Sequence, residues 1–428
     1  MFKTLVNAWK VKDIRTKILY TLLLILLYRL GSYIPVPGVN ATAIAATLEE
    51  YVAVGGFMNL FTGGAFSRYS LFAMGISPYI TGSIIMNLLT VAIPALERLS
   101  KEEDGRQKIE KITRYVGVGL ALVQSVGIVL AMGESAVYNP SFLTYLTIGI
   151  TCTAGTALLM WMGERITERG IGNGISLLIF ASIVSQVGPM VVSLIRNVFV
   201  LGAYQWWTIP LVLVFVVLLT AGVTLVDKAE RRIPITYAKR VVGRRQYGGQ
   251  TTYLPIKANA NGVMPLIFAM TILQVPGMIG QFWPKGKFYT FVSTYLSPAT
   301  TNIAGIIIYY VLYAIMIVGF AYFYSSITFN PVEISKNLQQ NGGFIPGIRP
   351  GRPTSDYLQK KCSRLTMFGA LFLMIIAIIP TLLLKVLNIT VLSAFGPTSI
   401  LIMISVSIEI ADQLDSLMIM RNHKGFLN

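Results

Sequence analysis

Long apolar runs alternate with short polar segments along the whole chain. At a rise of ~1.5 Å per residue, a helix of about 20 residues crosses a ~30 Å hydrocarbon core. Ten runs of that order are readable, near residues 18–36, 70–93, 113–133, 141–162, 174–195, 207–227, 261–281, 303–327, 365–385 and 393–411. They predict an all-α integral membrane protein with ten transmembrane helices. Basic residues fall mainly on alternate connecting segments. One group is Lys3, Lys10, Lys12, Arg15 and Lys17; others lie between Arg98 and Arg114, between Lys228 and Lys257, and between Lys336 and Arg364. Such a bias marks the cytoplasmic side, so both termini are expected inside. Five runs per half is an odd number, so halves 1–195 and 196–428, if copies of one bundle, run in opposite directions. Inverted repeats of that kind place the functional path at their interface. The halves share no clear sequence identity, so this expectation rests on the number of runs.

The stretch Gly55–Pro94, GGFMNLFTGGAFSRYSLFAMGISPYITGSIIMNLLTVAIP, breaks the pattern. Phe57–Phe66 is apolar but only ten residues long, about half a bilayer core. Gly63-Gly64 and Ser67-Arg68 interrupt it, and Leu71–Ile93 is then long enough to span. Backbone that stops halfway across a membrane cannot face lipid, because its open N–H and C=O groups would go unpaired. The stretch therefore reads as a re-entrant element inside a cavity, as a helix lying on the surface, or as an ordinary loop.

Composition narrows the class. The 428 residues are 54% hydrophobic and 12% charged, against about 25% charged in soluble domains. The net charge of +17 follows mostly from the loop bias. Met1–Lys17 is basic and amphipathic, and the first apolar run is long enough to remain in the membrane, so no cleavable signal peptide is expected. Cys152 and Cys362 do not make a disulfide framework, and the lone His423 makes no His-rich metal site. No phosphate-binding GxxxxGK[ST], HExxH or Ser/His/Asp set is present, so neither an enzyme nor a cofactor is expected. Ion-driven carriers use ionisable groups at mid-membrane. Here Arg29 and Glu409 are the clearest, with Asp412 and Asp415 nearer an end, and Arg29 has the reach to snorkel to an interface.

Two loops exceed what topology needs. In 228–260, RRIPITYAKR and QTTYLPIKA flank VVGRRQYGG, predicting a β-hairpin with Arg244 and Arg245 near its tip. In 328–364, NPVEISKNLQQ predicts a short helix leading into the Gly/Pro-rich NGGFIPGIRPGRP, which presents Arg349 and Arg352. Such loops fit an acidic or phosphate-bearing partner, or orientation and lipid headgroup contact. Within the spans, Ile80/Ile84 and Ile179/Ile183 each share a helix face. An apolar ring closes a water path by dewetting, although isoleucines in a span ordinarily serve packing or lipid contact.

At ERITERGIGNGISLLIFASIV (164–184) the chain resembles the SecY/Sec61-alpha family, the central subunits of the Sec protein translocase. The likeness extends to the broken stretch (55–85), ERRIPITYAKRVVGRRQY (230–247), LPIKANANGVMPLIFA (254–269) and GFIPGIRPG (343–351), and covers essentially the whole length. The resemblance implies a protein-conducting channel: two inverted five-helix halves around an hourglass pore, a re-entrant plug helix and a cytoplasmic β-hairpin loop. The plug would be Phe57, Met58, Asn59, Leu60, Phe61, Thr62, Gly63, Gly64, Ala65, Phe66 and Ser67, lightly held because it is short. The pore ring would be Ile80, Ile84, Ile179, Ile183, Ile267 and Ile402. Asn87, Gln124, Thr271 and Gln274 would line a lateral gate, with Asn87 standing where the family often has glutamine. Arg244, Arg245, Arg349 and Arg352 would dock the SecA motor ATPase or the ribosome. Implied partners are SecE-like and SecG-like subunits, signal peptides and clients, in a bacterial plasma membrane. A secondary transporter with broken helices and a membrane insertase without a through-pore are the alternatives.

Overall fold

The computed structural model describes residues 9–40, 43–44, 59, 61–102, 104–133, 136–237, 240–242, 245–247, 251–259, 262–280, 283, 286–298, 300, 302–386 and 397–424. Contacts group the chain into two compact units. One comprises Met1–Val212, Thr271–Tyr309 and Leu384–Asn428, and the other Leu213–Met270 and Tyr310–Leu383.

Each apolar run forms a helix. In chain order these are α1 (Lys12–Gly31), α2 (Ser77–Ala92), the short α3 (Pro94–Lys101), α4 (Gly105–Met132), α5 (Phe142–Arg169), α6 (Gly174–Phe199) and α7 (Thr208–Asp227). After a β segment come α8 (Met264–Gly280), the short α9 (Lys287–Tyr295), α10 (Ile303–Thr328), the short α11 (Pro331–Gln340), α12 (Arg352–Val386) and α13 (Pro397–Lys424). Among the described residues, six helices are long and apolar enough to cross a membrane by length and composition, or seven counting the bent pair α2–α3. α8, at 17 residues, is a shorter apolar helix, and α1 carries Lys12, Asp13, Arg15, Lys17 and Arg29. The exposed apolar side chains of α7, including Leu213, Val214, Val217, Leu218 and Leu225, need no protein partner in a chain whose solvent is lipid.

The start of the second span differs from the sequence expectation. The second span starts at Ser77, not near residue 70: Leu71–Ile76 is a run of turns, with Gly75 at φ +57 and Pro78 in the first turn of α2. The left-handed backbone at Gly75 stops the helix from extending backwards. At the other end, proline disfavours helical backbone in the residue before it; Ile93, before Pro94, is extended, α2 ends at Ala92 as the hydrophobic run predicted, and α3 turns away by 104°.

The turn between α5 and α6 shows why the ERGIGNG motif is glycine-rich. A Cβ on Gly174 would overlap the Gly163 carbonyl, so only glycine lets α6 start against α5. Asn173 caps α6 by accepting from the Ile175 and Ser176 N–H groups. Thr21 Oγ1 of α1 accepts from Ile171 N at 3.2 Å, tying the turn to the first helix.

In the second unit, β1 (Glu230–Tyr237) pairs antiparallel with β4 (Thr251–Lys257), in the register Ile233↔Leu254. Inside that hairpin β2 (Arg240–Val242) pairs with β3 (Arg245–Tyr247). A third strand, β5 (Gly343–Phe344), joins β1 on its other edge through Thr236↔Phe344.

Candidate functional site

The expected plug is partly described: Asn59 and Phe61–Ser67 lie within the described residues, while Phe57, Met58 and Leu60 lie outside them. Thr62–Tyr69 runs as successive turns. Gly63 (φ +63) and Gly64 (φ +86) take left-handed backbone that other residues adopt only at a cost. The turns are held internally. Gly64 N donates to Asn59 O at 2.9 Å, Ser67 N to Asn59 Oδ1 at 3.2 Å, and Phe66 N to Thr62 Oγ1 at 3.1 Å.

Two apolar cores grip this segment. Phe66, Tyr69, Ala73 and Met74 pack with Val36, Ile128, Val129 and Ile148. Ala65, Phe72 and Ile76 pack with Leu24, Tyr28, Leu159, Ile166 and Leu178. Polar contacts hold it as well. Tyr28 Oη donates to Thr62 O at 3.1 Å and lies 2.5 Å from Ser182 Oγ of α6. Arg29 Nη1 donates to Gly63 O at 3.1 Å. Tyr69 Oη reaches Ser125 O in α4 at 3.0 Å, and the exit is strapped by Val36 N→Tyr69 O and Leu71 N→Ile34 O. The expectation of a lightly held plug is therefore corrected. Shortness limits the bonds a segment makes within itself, but Thr62 and Gly63 accept from Tyr28 and Arg29 of α1, Phe66 packs against Ile128 and Val129 of α4, and Gly63 lies against Ser182 of α6. Tyr28 and Ser182 take part without having been singled out in the sequence. Arg29 was visible as an odd charge in an apolar run, but its role in binding Gly63 was not.

Of the expected ring, Ile80, Ile84, Ile179, Ile183 and Ile402 lie in the first unit and Ile267 in the second. Ile84, Ile179, Ile183, Ile267 and Ile402 are buried, while Ile80 is half-buried and packs against the core that contains Ala65. Ile183 follows Ser182 on α6, and a Cβ on Gly63 would lie 3.2 Å from Ser182 Cα. The backbone of the expected plug thus lies against α6 next to one expected ring residue. The four expected gate residues are all in the first unit. Gln124 of α4 meets α8 through Nε2 to Met278 Sδ at 3.8 Å, and its buried Oε1 has no hydrogen-bond partner among the described residues. Thr271 is buried on α8, Gln274 is half-buried there, and Asn87 is half-buried on α2.

The two basic loops form a single body. Ile233 of β1, Ile256 of β4, Ile345 and Leu358 of α12 make one core, flanked by Leu254, Ile334 and Ile348. Asn259 Nδ2 donates to Asp227 Oδ1 at 2.9 Å across the neck of the hairpin. Arg349 stands exposed on a turn shaped by Gly347 (φ +81) and Gly351 (φ +95). Its carbonyl accepts from Thr354 Oγ1 at 2.8 Å, and Ser335 Oγ donates to Gly351 O at 2.7 Å. Arg352, expected in the loop, instead opens α12, where Pro353 follows at a position that lacks no needed donor. Arg245 lies on β3 opposite Val242, next to the tip of the hairpin, and Arg244 lies outside the described residues. The shared core was not legible from the sequence because β5 is only two residues long and pairs with a strand about a hundred positions earlier.

Together these features define a multi-pass helical membrane protein with a short segment sealed between its helices and a folded basic platform. The SecY family model matches residues 70–411. Protein translocase subunit SecY of Streptomyces scabiei is 41% identical over 443 residues, covering 100% of both chains. Among solved structures, a protein-conducting channel superposes with a TM-score of 0.64 at 20% identity, over 93% of this chain and 91% of that one. A SecY protein whose plug domain stabilises the closed state of its translocation channel superposes at 0.62 with 19% identity, over 93% and 91%. The chain belongs to the SecY family of protein translocase subunits.

Proposed function

We propose that this chain is a protein-conducting channel in which the segment 57–67 is the closure. It passes unfolded polypeptides across a bacterial plasma membrane and releases apolar segments sideways into lipid. The observation that carries the reading is the burial of Phe61–Phe66 against Tyr28, Arg29 and Ser182, beside Ile183. Halves 1–195 and 196–428, with both termini cytoplasmic, would enclose the path. Ile80, Ile84, Ile179, Ile183, Ile267 and Ile402 would form a ring that offers a passing chain no fixed hydrogen bonds.

A signal peptide is an apolar helix that gains about 25 cal/mol per Å² of apolar area on leaving water. Entering beside Asn87, Gln124, Thr271 and Gln274, it would favour the open state, and a gap of a few kcal/mol between states is enough for such a switch. The unpartnered Gln124 Oε1 supports a contact that is remade on opening. SecE-like and SecG-like subunits would complete the complex. Energy would come from a SecA motor or a ribosome docked on Arg244, Arg245, Arg349 and Arg352.

The test is a stalled client in reconstituted vesicles. Ile84→Cys and Ile183→Cys are expected to crosslink to a translocating chain, and Leu213→Cys, on the exposed face of α7, is not. Equal crosslinking at all three would remove the ring. Separately, Arg349→Glu is expected to reduce motor-driven transport by on the order of tenfold or more, because it reverses an exposed charge on a rigid turn. Transport unchanged by that variant would dismiss Arg349 as a docking residue.

A further inference from the structure

We propose that Arg29 and Arg68 form a two-armed latch on the Gly63-Gly64 peptides, and that this latch sets how long the plug stays closed. The inference rests on the plug reading above and assigns the residues that control it. The two guanidinium groups take adjacent carbonyls: Arg29 Nη1 donates to Gly63 O at 3.1 Å, and Arg68 Nε to Gly64 O at 3.2 Å. Both also lie against one ring, with the Arg68 guanidinium carbon 4.2 Å and that of Arg29 5.7 Å from the Tyr33 centroid. The face of Tyr33 lies against both cations, and its hydroxyl oxygen also accepts from Arg68 and Arg29.

The two glycines are fitted to these arms. A Cβ on Gly63 would come within 2.7 Å of Arg29 Nη1, and one on Gly64 within 2.9 Å of Arg68 Nη2. Any side chain at either position would push an arm away, quite apart from the strain of positive φ. Among the described residues, no carboxylate lies within ion-pair distance of either guanidinium. Arg29 is thus committed to the plug rather than to a salt bridge. It sits in the last turn of α1, where the helix dipole favours a cation.

The arms differ in origin. Arg29 belongs to helix α1, whereas Arg68 directly follows the closing segment 57–67 and reaches back to it. Opening breaks the Arg29 arm outright and loosens the Arg68 arm, which orders the Gly63-Gly64 turn for recapture. Because the donors are charged and the acceptors neutral, each bond is stronger than an ordinary peptide hydrogen bond.

The experiment is single-channel recording of the full chain reconstituted with its small partner subunits in planar bilayers. Arg29→Gln, Arg68→Gln, the double variant and the 57–67 deletion are compared, with thermal melting measured in parallel. Loss of one charged hydrogen bond is expected to shorten the closed dwell about tenfold, and loss of both by on the order of a hundredfold. Arg29→Lys, which keeps a charged donor, is expected to recover most of the dwell. A general loss of packing would lower the melting temperature and would not be rescued by lysine. An unchanged dwell in the double variant, with a leaking deletion, overturns the latch and leaves the plug standing. A deletion that does not leak overturns both.

Discussion

Deleting residues 57–67 is expected to turn an electrically silent chain into one that conducts ions. The deletion removes side chains that are buried among α1, α4, α5 and α6: Phe61, Thr62, Ala65 and Phe66 are each less than 10% exposed. It also removes the Gly63 O that accepts from the Arg29 guanidinium and the Thr62 O that accepts from the Tyr28 hydroxyl, leaving Tyr28 with Ser182 alone. Buried polar groups stripped of partners recruit water, because leaving them dry costs about 1–3 kcal/mol each. A wetted cavity beside Ile183 is a conducting path if a ring of isoleucines is all that remains to close it. The measurement is conductance across a planar bilayer, intact chain against deletion. A large leak only in the deletion identifies a water-filled pore closed by this segment. Silence in both would remove the plug and the ring together, and would return a transporter or an insertase as the reading.

The second large effect concerns folding. Gly174→Val is expected to abolish a stable fold, with a destabilisation of about 3 kcal/mol or more. Its Cβ would overlap the Gly163 carbonyl oxygen and lie 2.8 Å from Ile166 Cβ, so relief requires α5 and α6 to separate at their joint. That joint also holds Gly174 N→Thr167 Oγ1 at 2.9 Å, which separation breaks. Ser182, Ile183 and the plug contacts follow on the same helix. Gly188, further along α6, is the control, since nothing lies within 4 Å of a Cβ built there. Gly188→Ala is expected to be neutral or stabilising by up to about 1 kcal/mol, from helix propensity. Folded yield and resistance to chemical unfolding distinguish the two. A Gly174→Val protein that folds as well as the control would show that the crossing is not tight.

The hydrophobic pattern located the helices because lipid imposes a length and a composition that are local to each run. A helix satisfies its own backbone, so Ile303–Thr328 and Gly174–Phe199 were readable within a few residues without knowledge of neighbours. The same pattern overran at residues 70–76. Phe72, Ala73 and Met74 are as apolar as a span, yet they are buried in protein as turns, and hydropathy does not distinguish protein from lipid as the apolar surroundings. The hairpin at 230–257 was legible from alternating β-prone residues, whereas its third strand and the core joining it to Leu358 were not.

What the sequence determined by itself was a multi-pass helical membrane protein with one broken stretch, two ordered basic loops and long motifs of the SecY family. What only the tertiary structure decided was how the broken stretch is held. Tyr28 meets Thr62 across 34 positions of chain and Ser182 across 154, and Arg29 finds Gly63 only after α1 has folded against the turns. Apolar periodicity is a property of one helix, but a hydrogen bond to a glycine carbonyl depends on two distant backbones arriving within about 3 Å.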